Sequence, residues 1–302
     1  MEVCLLGTGG TVPLPGRALA SALLRVGGRM VLIDCGEGTQ VAMRAPGWGF
    51  AGLEAILLTH VHADHVAGLP GLLLTLGLSG RTAPLALYGA RWTIEVVRAL
   101  RVLVPTLPYE VRVQELAGGE RFEAAGLLVG TIALTHRAPC LGYRLELARG
   151  RRFLPERAEA RGVPKPLWRR LQDGESVEWP GGLATPDEVL GPPRPGVSVA
   201  YVTDTRPVEG LAAFARGVDL LICEATYLLP GDEARAAEHD HLHLSETCRI
   251  AAEAGARRLW LTHFSQAVPD PLALADQVSA LCPLAEIGRD GMTATLRFPD
   301  EG

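Results

Sequence analysis

Three histidines and an aspartate fall within six positions at the end of one apolar segment. Residues 53–59 have the apolar, partly β-branched composition of a buried strand, and His60, His62, Asp64 and His65 follow them. Alternate residues of an extended loop share a side, so His60 and His62 can bind one ion, while Asp64 and His65 turn away toward a second. Imidazoles and carboxylates without a nearby cysteine favour zinc, with Mn²⁺ and Fe²⁺ as the alternatives. The spacing predicts two Zn²⁺ ions per chain rather than polar loop residues satisfied by solvent.

Three more predicted strands lead directly into side chains that bind metals or protons. Residues 197–203 precede Asp204, residues 218–223 precede Glu224, and residues 259–262 precede His263. His136 and His263 each follow a leucine and a threonine, as His60 does. A lone histidine is more often structural than ligating, but this repeated Leu-Thr-His context favours ligation.

A two-metal hydrolase needs ligands for both ions, a bridging carboxylate and a group that handles the water or the leaving oxygen. We predict that the first ion is held by His60, His62 and His136. We predict that the second is held by Asp64, His65 and His263, with Asp204 bridging the two ions.

The elements that must position these residues alternate between strand and helix. Helical spacing occurs over residues 207–215, 245–254 and 271–281, with Ser245 as a plausible N-cap. Strands that alternate with helices and end in ligands predict two sheets covered by helices, with the site along one edge. The expected fold class is therefore α+β, an αββα sandwich.

Composition limits the remaining possibilities. A chain of 302 residues with 48% hydrophobic residues can form one large domain, residues 1–302, and its net charge of -5 argues against indiscriminate nucleic-acid binding. No apolar stretch reaches the roughly 18 residues of a membrane span, so we expect no membrane partner and a cytoplasmic location. The six cysteines are scattered singly, which fits reduced thiols rather than a disulfide framework.

One segment differs from the rest of the chain. Residues 149–195 are rich in proline and glycine, and residues 149–170 contain eight basic and two acidic side chains, a local net charge of +6. Surface arginines on solvated helices would give the same count. The contrast with an acidic chain favours an inserted basic arm that contacts a polyanion.

Several short motifs lie along the chain in addition to the His60 to His65 motif. They are Leu6-Gly7-Thr8-Gly9, Asp34-Cys35-Gly36-Glu37-Gly38-Thr39-Gln40, Gly68-Leu69-Pro70-Gly71-Leu72-Leu73, Leu141-Gly142-Tyr143-Arg144, Asp204-Thr205-Arg206, Cys223-Glu224-Ala225-Thr226-Tyr227 and Leu261-Thr262-His263-Phe264-Ser265. Over nearly the whole length, these motifs resemble those of the ribonuclease Z family, the tRNA 3′-end endonucleases of the metallo-β-lactamase fold. The His60 to His65 motif marks only the superfamily, whereas the motifs at 36–40 and 224–226 are far more specific.

The resemblance implies a zinc-dependent phosphodiesterase that processes the 3′ end of pre-tRNA. It implies that Asp64 is the base that orients the water, and that Glu224 and His243 protonate the leaving 3′ oxygen. The sequence departs from the family's motifs at two places. His243-Leu244-Ser245 stands where the family has His-Ser-Thr, and Lys165-Pro166 stands where the arm of the family has Gly-Pro. The arm would grip the tRNA body, and the family tendency predicts a homodimer.

Other functions remain open at this level. The same fold could hydrolyse small phosphodiesters or other esters, and a metal-stabilised nucleic-acid-binding protein would need no catalysis. A lactamase is disfavoured, because the inserted arm and the Glu224 motif have no evident use with a small lactam. The run of His239, His241 and His243 could be a third metal site, a solvent-facing cluster or one catalytic residue with two bystanders.

Overall fold

The structure is a computed structural model that describes residues 1–299. Its strands within that range are β1 Glu2–Gly7, β2 Ser21–Val26, β3 Arg29–Ile33, β4 Leu53–Leu58, β5 Leu85–Gly89, β6 Val111–Glu115, β7 Arg121–Ala124, β8 Leu127–Leu134, β9 Cys140–Arg149, β10 Val177–Trp179, β11 Gly182–Ala184, β12 Arg194–Val202, β13 Leu220–Glu224, β14 Leu259–Thr262, β15 Ala285–Ile287 and β16 Thr293–Thr295.

The α-helices are short, and none within residues 1–299 is long and apolar enough to cross a membrane. They are α1 Thr39–Ala42, α2 Ala63–Val66, α3 Leu69–Leu78, α4 Thr93–Leu100, α5 Pro155–Ala160, α6 Trp168–Gln172, α7 Pro186–Val189, α8 Leu211–Phe214, α9 Glu233–Glu238, α10 Leu244–Ala254 and α11 Ala275–Leu281.

Two seven-stranded mixed sheets form the main unit, residues 1–147 and 198–297. The first sheet has the order β16-β1-β2-β3-β4-β5-β6, and the second has the order β15-β14-β13-β12-β9-β8-β7. Strands β3 to β6 are parallel to one another, as are β12 to β15. Strands β2 and β3 form a hairpin joined by Gly27 and Gly28.

The sheets are buried on both faces. Outward-facing side chains of the first sheet pack under α3 and α4, and those of the second pack under α8, α10 and α11. The opposite faces bury large side chains such as Tyr143, Tyr201 and Trp260. The Tyr143 hydroxyl donates to the Leu58 carbonyl at 2.6 Å, which links the second sheet to the first. The predicted αββα sandwich is confirmed.

The parallel strands bring the predicted ligand loops to one edge of the sandwich. Carboxyl ends of neighbouring parallel strands lie at the same edge of a sheet, which is where open α/β sheets bind ligands. The loop after β4 is held close to the loop after β3, because the Gly68 N–H donates to the Cys35 carbonyl at 2.9 Å. A Cβ at Gly68 would lie 1.9 Å from the Gly36 carbonyl oxygen, so this approach requires glycine.

The inserted segment forms a second compact unit, residues 148–197 with Phe298 and Pro299. It has its own small core, in which Ala158, Val163 and Leu171 are buried and Trp168 packs against them. Thr185 caps α7 through a capping box with Glu188. The arm is therefore a folded subdomain rather than an extended loop.

The basic character predicted for this arm is reduced by acidic residues beyond position 170. Arg151, Arg161, Arg169 and Arg170 pair with acidic side chains of the same unit, namely Asp187, Glu188, Asp173 and Glu175 respectively. Over residues 149–195 there are nine basic and seven acidic side chains, a net charge of +2. The net charge of +6 was counted over residues 149–170 only and therefore left out these four acidic side chains.

Candidate metal centre

The first predicted group of ligands comes together at the ends of β4 and β8. His60 Nε2 lies 2.9 Å from His62 Nδ1, and His136 Nε2 lies 3.3 Å from the same His62 nitrogen. His60 is fully buried, whereas His62 and His136 are partly exposed. Three ring nitrogens therefore converge at a point that is open toward solvent on one side.

The second group forms beside it from the same loop and the end of β14. Asp64 Oδ2 lies 3.3 Å from His65 Nε2 and 3.5 Å from His263 Nε2. The Thr11 N–H donates to the same carboxylate oxygen at 2.8 Å, so the glycine-rich turn after β1 fixes Asp64 in this position. His65 and His263 are almost fully buried.

Asp204 lies between the two groups and presents one oxygen to each. Its Oδ1 lies 3.7 Å from His136 Nε2 and 4.0 Å from His60 Nε2, and its Oδ2 lies 3.3 Å from both His65 Nε2 and His263 Nε2. Ligand atoms about 2.0–2.1 Å from a tetrahedral zinc are about 3.3 Å apart. The spacing of these atoms fits two neighbouring ions with a shared carboxylate.

Unsatisfied ring nitrogens give an independent test of metal binding. His65 Nε2 and His263 Nε2 are buried and have no hydrogen-bond partner within residues 1–299. Burying a polar atom without a partner costs free energy, and such atoms are rare in folded proteins. A cation bound by the lone pairs of the two Nε2 atoms would remove that cost. The residues present therefore fit a divalent metal.

The outward-facing nitrogens of the same rings are held by partners behind the site. Asp34 Oδ2 lies 2.8 Å from His65 Nδ1, Thr59 Oγ1 lies 3.1 Å from His60 Nδ1, and Thr226 Oγ1 lies 3.0 Å from His263 Nδ1. Such partners fix the tautomer and the orientation of a ligating imidazole. Sequence reasoning assigned Asp34 no role, although it too follows an apolar strand.

Backbone strain is concentrated at the same residues. Asp34, Asp204 and His263 have φ values of 60°, 54° and 60°, in the left-handed region that non-glycine residues seldom occupy. Asp34 and His263 follow directly on β3 and β14, and Asp204 lies two residues past the end of β12. The left-handed conformation turns Asp204 and His263 into the site and Asp34 toward His65 Nδ1 behind it. Strain of this kind persists only where surrounding contacts hold it in place, which is common at functional sites.

The electrostatic environment keeps the carboxylates ionised. Burial raises the pKa of Asp204, but the imidazoles of His263, His65, His60 and His241 outweigh burial and hold that pKa well below its usual range. Burial likewise raises the pKa of Asp64, while the neighbouring imidazoles of His263 and His65 lower it further than burial raises it. The ionised form is the one in which a carboxylate binds a metal.

The structure corrects the predicted partner of Glu224. His241, and not His243, faces that carboxylate, with His241 Nδ1 lying 3.0 Å from Glu224 Oε2 and 3.9 Å from Asp204 Oδ1. Burial lowers the pKa of His241, but Glu224 first and then Asp204 raise it to a net value of about 9. Glu224 is completely buried and also accepts from the Thr226 hydroxyl and the Thr205 N–H.

His243 has a structural position instead. It is the N-cap of α10, where its ring accepts from the Ser245 N–H and its own N–H donates to Glu246, so the cap predicted at Ser245 belongs two residues earlier. The three histidines do not share an extended loop, because α9 ends at Glu238 and the chain turns at Asp240 with φ 58°.

Comparison with known proteins places the whole chain among relatives of one kind. Ribonuclease Z of Agathobacter rectalis is 42% identical over 302 residues and ribonuclease Z of Lachnospira eligens is 41% identical over 303, each alignment covering 100% of both chains. The crystal structure of human tRNase Z, short form, has 24% identity and a TM-score of 0.69, covering 99% of this chain and 100% of that one.

Two family profiles match parts of the chain. Residues 1–105 match the profile of the anti-Pycsar protein Apyc1, and residues 189–264 match that of the beta-lactamase superfamily domain. The second match spans Asp204, Glu224, His241 and His263, so it covers the carboxyl-terminal part of the site.

Proposed function

This chain belongs to the ribonuclease Z family, and we propose from that premise that two zinc ions at the site described above serve its cleavage of pre-tRNA. The reaction is the endonucleolytic hydrolysis of a phosphodiester bond at the 3′ end of pre-tRNA, carried out on a metallo-β-lactamase fold. The main support for the two-ion proposal is Asp204, whose two oxygens face two separate ligand groups. Incubation with a 3′-extended pre-tRNA, followed by mapping of the product end, tests the function directly.

The ligands proposed for each ion are the side chains that lie together in the structure. His60, His62 and His136 would hold one ion, and Asp64, His65 and His263 the other, with Asp204 shared. Bound zinc supplies a water of lowered pKa and neutralises charge on the phosphate. Neutral nitrogen and carboxylate ligands without a cysteine suit zinc, and Mn²⁺ or Fe²⁺ are the alternatives.

Asp64 is proposed to orient the attacking water as well as to bind metal. Its Oδ2 accepts from the Thr11 N–H and lies beside His65 and His263, and Asp64 is partly exposed while those two histidines are buried. A carboxylate at the mouth of the site can accept a proton from water and hold it toward the phosphate. Thr11 keeps that carboxylate aimed at the reacting atoms.

His241 replaces His243 as the proposed proton donor to the leaving 3′ oxygen. A ribose 3′ oxygen is a poor leaving group and needs a proton as the bond to phosphorus breaks. Glu224 holds the ring from behind through Nδ1, which leaves Nε2 as the nitrogen that can donate. The Arg206 guanidinium binds the His241 carbonyl and the Glu246 carboxylate, which fixes the backbone of the donor.

We predict a metal content of about two ions per chain, because two ligand groups share one carboxylate in the manner of a two-metal site. Elemental analysis of active, undialysed protein measures it. One ion or none in fully active protein would contradict the proposal. Because Nε2 of His65 and Nε2 of His263 have no hydrogen-bond partner within the described part of the chain, chelation should also lower the melting temperature, which scanning calorimetry measures.

The arm is proposed to contact tRNA through the basic side chains that its own acids leave free. Within residues 1–299, Arg152 and Arg157 are exposed and form no ion pair. We predict that Arg152→Ala with Arg157→Ala weakens pre-tRNA processing and lowers the log-log salt slope of binding by about 2, roughly one for each lost phosphate contact. Point substitutions are preferable to deletion, because residues 151–170 supply part of the core of the arm.

The matched control is Arg91→Ala with Arg98→Ala, two arginines of the main unit that are likewise exposed and form no ion pair within residues 1–299. Filter binding at several salt concentrations measures both pairs. Equal slopes for the arm variant and the wild type would show that these arginines do not contact the substrate. The homodimer and the cytoplasmic location stay predictions from the sequence.

A further inference from the structure

His239 is the histidine of the 239–243 run that neither the metal ligands nor the helix cap explains. It lies just past α9 and is exposed, and its Nδ1 lies 2.8 Å from the Arg235 carbonyl. A carbonyl can only accept, so this bond puts the proton of a neutral ring on Nδ1 and leaves Nε2 as a free acceptor. The ring is therefore held in one orientation at the surface.

Tyr227 supports this ring from behind. The two rings stack with centroids 6.1 Å apart and an interplanar angle of 30°, and Tyr227 is only 8% exposed. The Arg235 guanidinium lies 5.4 Å from the Tyr227 ring and is itself held by Asp232. Tyr227 is the only aromatic ring in contact with His239 among residues 1–299.

The same tyrosine connects His239 to the site of chemistry. Its ring centroid lies 6.3 Å from that of His241, which in turn stacks on the metal-site residue His263 at 5.4 Å and 30°. A series of rings thus leads from the ligand cluster to an exposed imidazole. Arg137, next to His136, donates to the Glu238 carbonyl at 2.8 Å and so ties the end of α9 to the ligand loop.

We propose that His239, backed by Tyr227, is a platform on which the base of the nucleotide 5′ to the cut stacks. Single-stranded RNA is commonly bound by stacking its bases on aromatic side chains, which tolerates any base because every base has a π-face. This inference rests on the proposed function, in which His241 protonates the leaving oxygen.

The side of the cut follows from the chemistry of His241. Its proton goes to the 3′ oxygen as the oxygen–phosphorus bond breaks, so His241 lies beside the nucleotide that keeps that oxygen. Tyr227 and His239 extend outward from His241, and we assign the base on this platform to that same nucleotide, the one directly 5′ to the cut. His239 is thus a binding residue for the tRNA body rather than for the 3′ extension.

The test pairs substitutions of His239 with pre-tRNA that lacks one base. Two substrates carry a single abasic nucleotide, one directly 5′ and one directly 3′ to the cut, and kcat/KM is measured against intact pre-tRNA. For the wild type, loss of the 5′ base should lower kcat/KM about 10-fold or more, the scale of one base stacked on an aromatic ring. His239→Ala should show a similar loss on intact pre-tRNA and little further loss on the 5′ abasic substrate.

His239→Phe should restore the sensitivity to the 5′ base, because it keeps a flat ring without the ring nitrogens. Glu238→Ala, an exposed neighbour, should behave as wild type on all three substrates. The loss caused by His239→Ala on pre-tRNA should exceed its loss on bis(p-nitrophenyl) phosphate, which has no base to stack.

Three results would overturn the proposal. They are an equal effect of the 5′ abasic site in wild type and His239→Ala, a dependence on the 3′ base instead, and equal loss on both kinds of substrate. Failure of the wild type to cut intact pre-tRNA would instead overturn the proposed function.

Discussion

Asp64→Ala should lower turnover of pre-tRNA about 1,000-fold or more, because it removes both a metal ligand and the proposed base that orients the water, and a general base alone contributes roughly 10²–10⁴-fold. The structure places its Oδ2 within 3.5 Å of both buried ligand nitrogens of its group. The same loss should occur on bis(p-nitrophenyl) phosphate, because water attack is required whatever the leaving group. Single-turnover cleavage on both substrates measures it.

Metal loss and loss of the base must be separated in this experiment. The variant should be assayed with zinc in excess and its bound metal measured in the same preparation. Asp64→Asn, which keeps an oxygen ligand but no carboxylate base, should retain more metal than Asp64→Ala and still turn over slowly. Activity of Asp64→Asn close to that of the wild type would assign the water-orienting role to another residue.

His241→Ala should lower turnover of pre-tRNA by roughly 100-fold or more, the scale of general-acid catalysis. The defect should be much smaller on bis(p-nitrophenyl) phosphate, because nitrophenolate leaves without a proton. Steady-state kinetics on the two substrates measures the ratio of the two defects. Metal content should not change, because each ion keeps three ligand side chains and the shared Asp204 without His241.

His243→Ala is the matched control, since the same substitution is made two residues away on a histidine that caps α10. Loss of this cap should destabilise the fold by about 1 kcal/mol and leave activity on both substrates within a few-fold of wild type. Chemical denaturation measures the stability change. The assignment of His241 would be wrong if His243→Ala had the larger substrate-selective defect, or if His241→Ala impaired both substrates equally.

Much of this site follows from short stretches of sequence. His60, His62, Asp64 and His65 lie in one loop after an apolar strand, and the type and spacing of such residues are local properties. Asp204 and His263 also follow apolar strands, and parallel strands bring their carboxyl ends to a common edge. The αββα fold and the convergence of these side chains were therefore predictable.

The errors came from patterns that depend on distant parts of the chain. The alternation of His239, His241 and His243 predicts an extended loop, but a helix ends before it, a left-handed residue turns it, and another helix begins at its end. Residues 149–170 do carry a net positive charge, but the acidic side chains at 173, 175, 187 and 188 form ion pairs with four of the arginines. These ion pairs reduce the basic character of the arm.

Sequence by itself determined which residues could bind metal, because ligand type and strand-end position are encoded locally. Only the tertiary structure decided which histidine faces Glu224, which oxygen of Asp204 faces which ligand group, and which partners hold Nδ1 of His60, His65 and His263. Those contacts join residues at the ends of five parallel strands and in the loop after an antiparallel one. Their geometry depends on strand register and on left-handed turns at Asp34, Asp204 and His263, which no local residue pattern specifies.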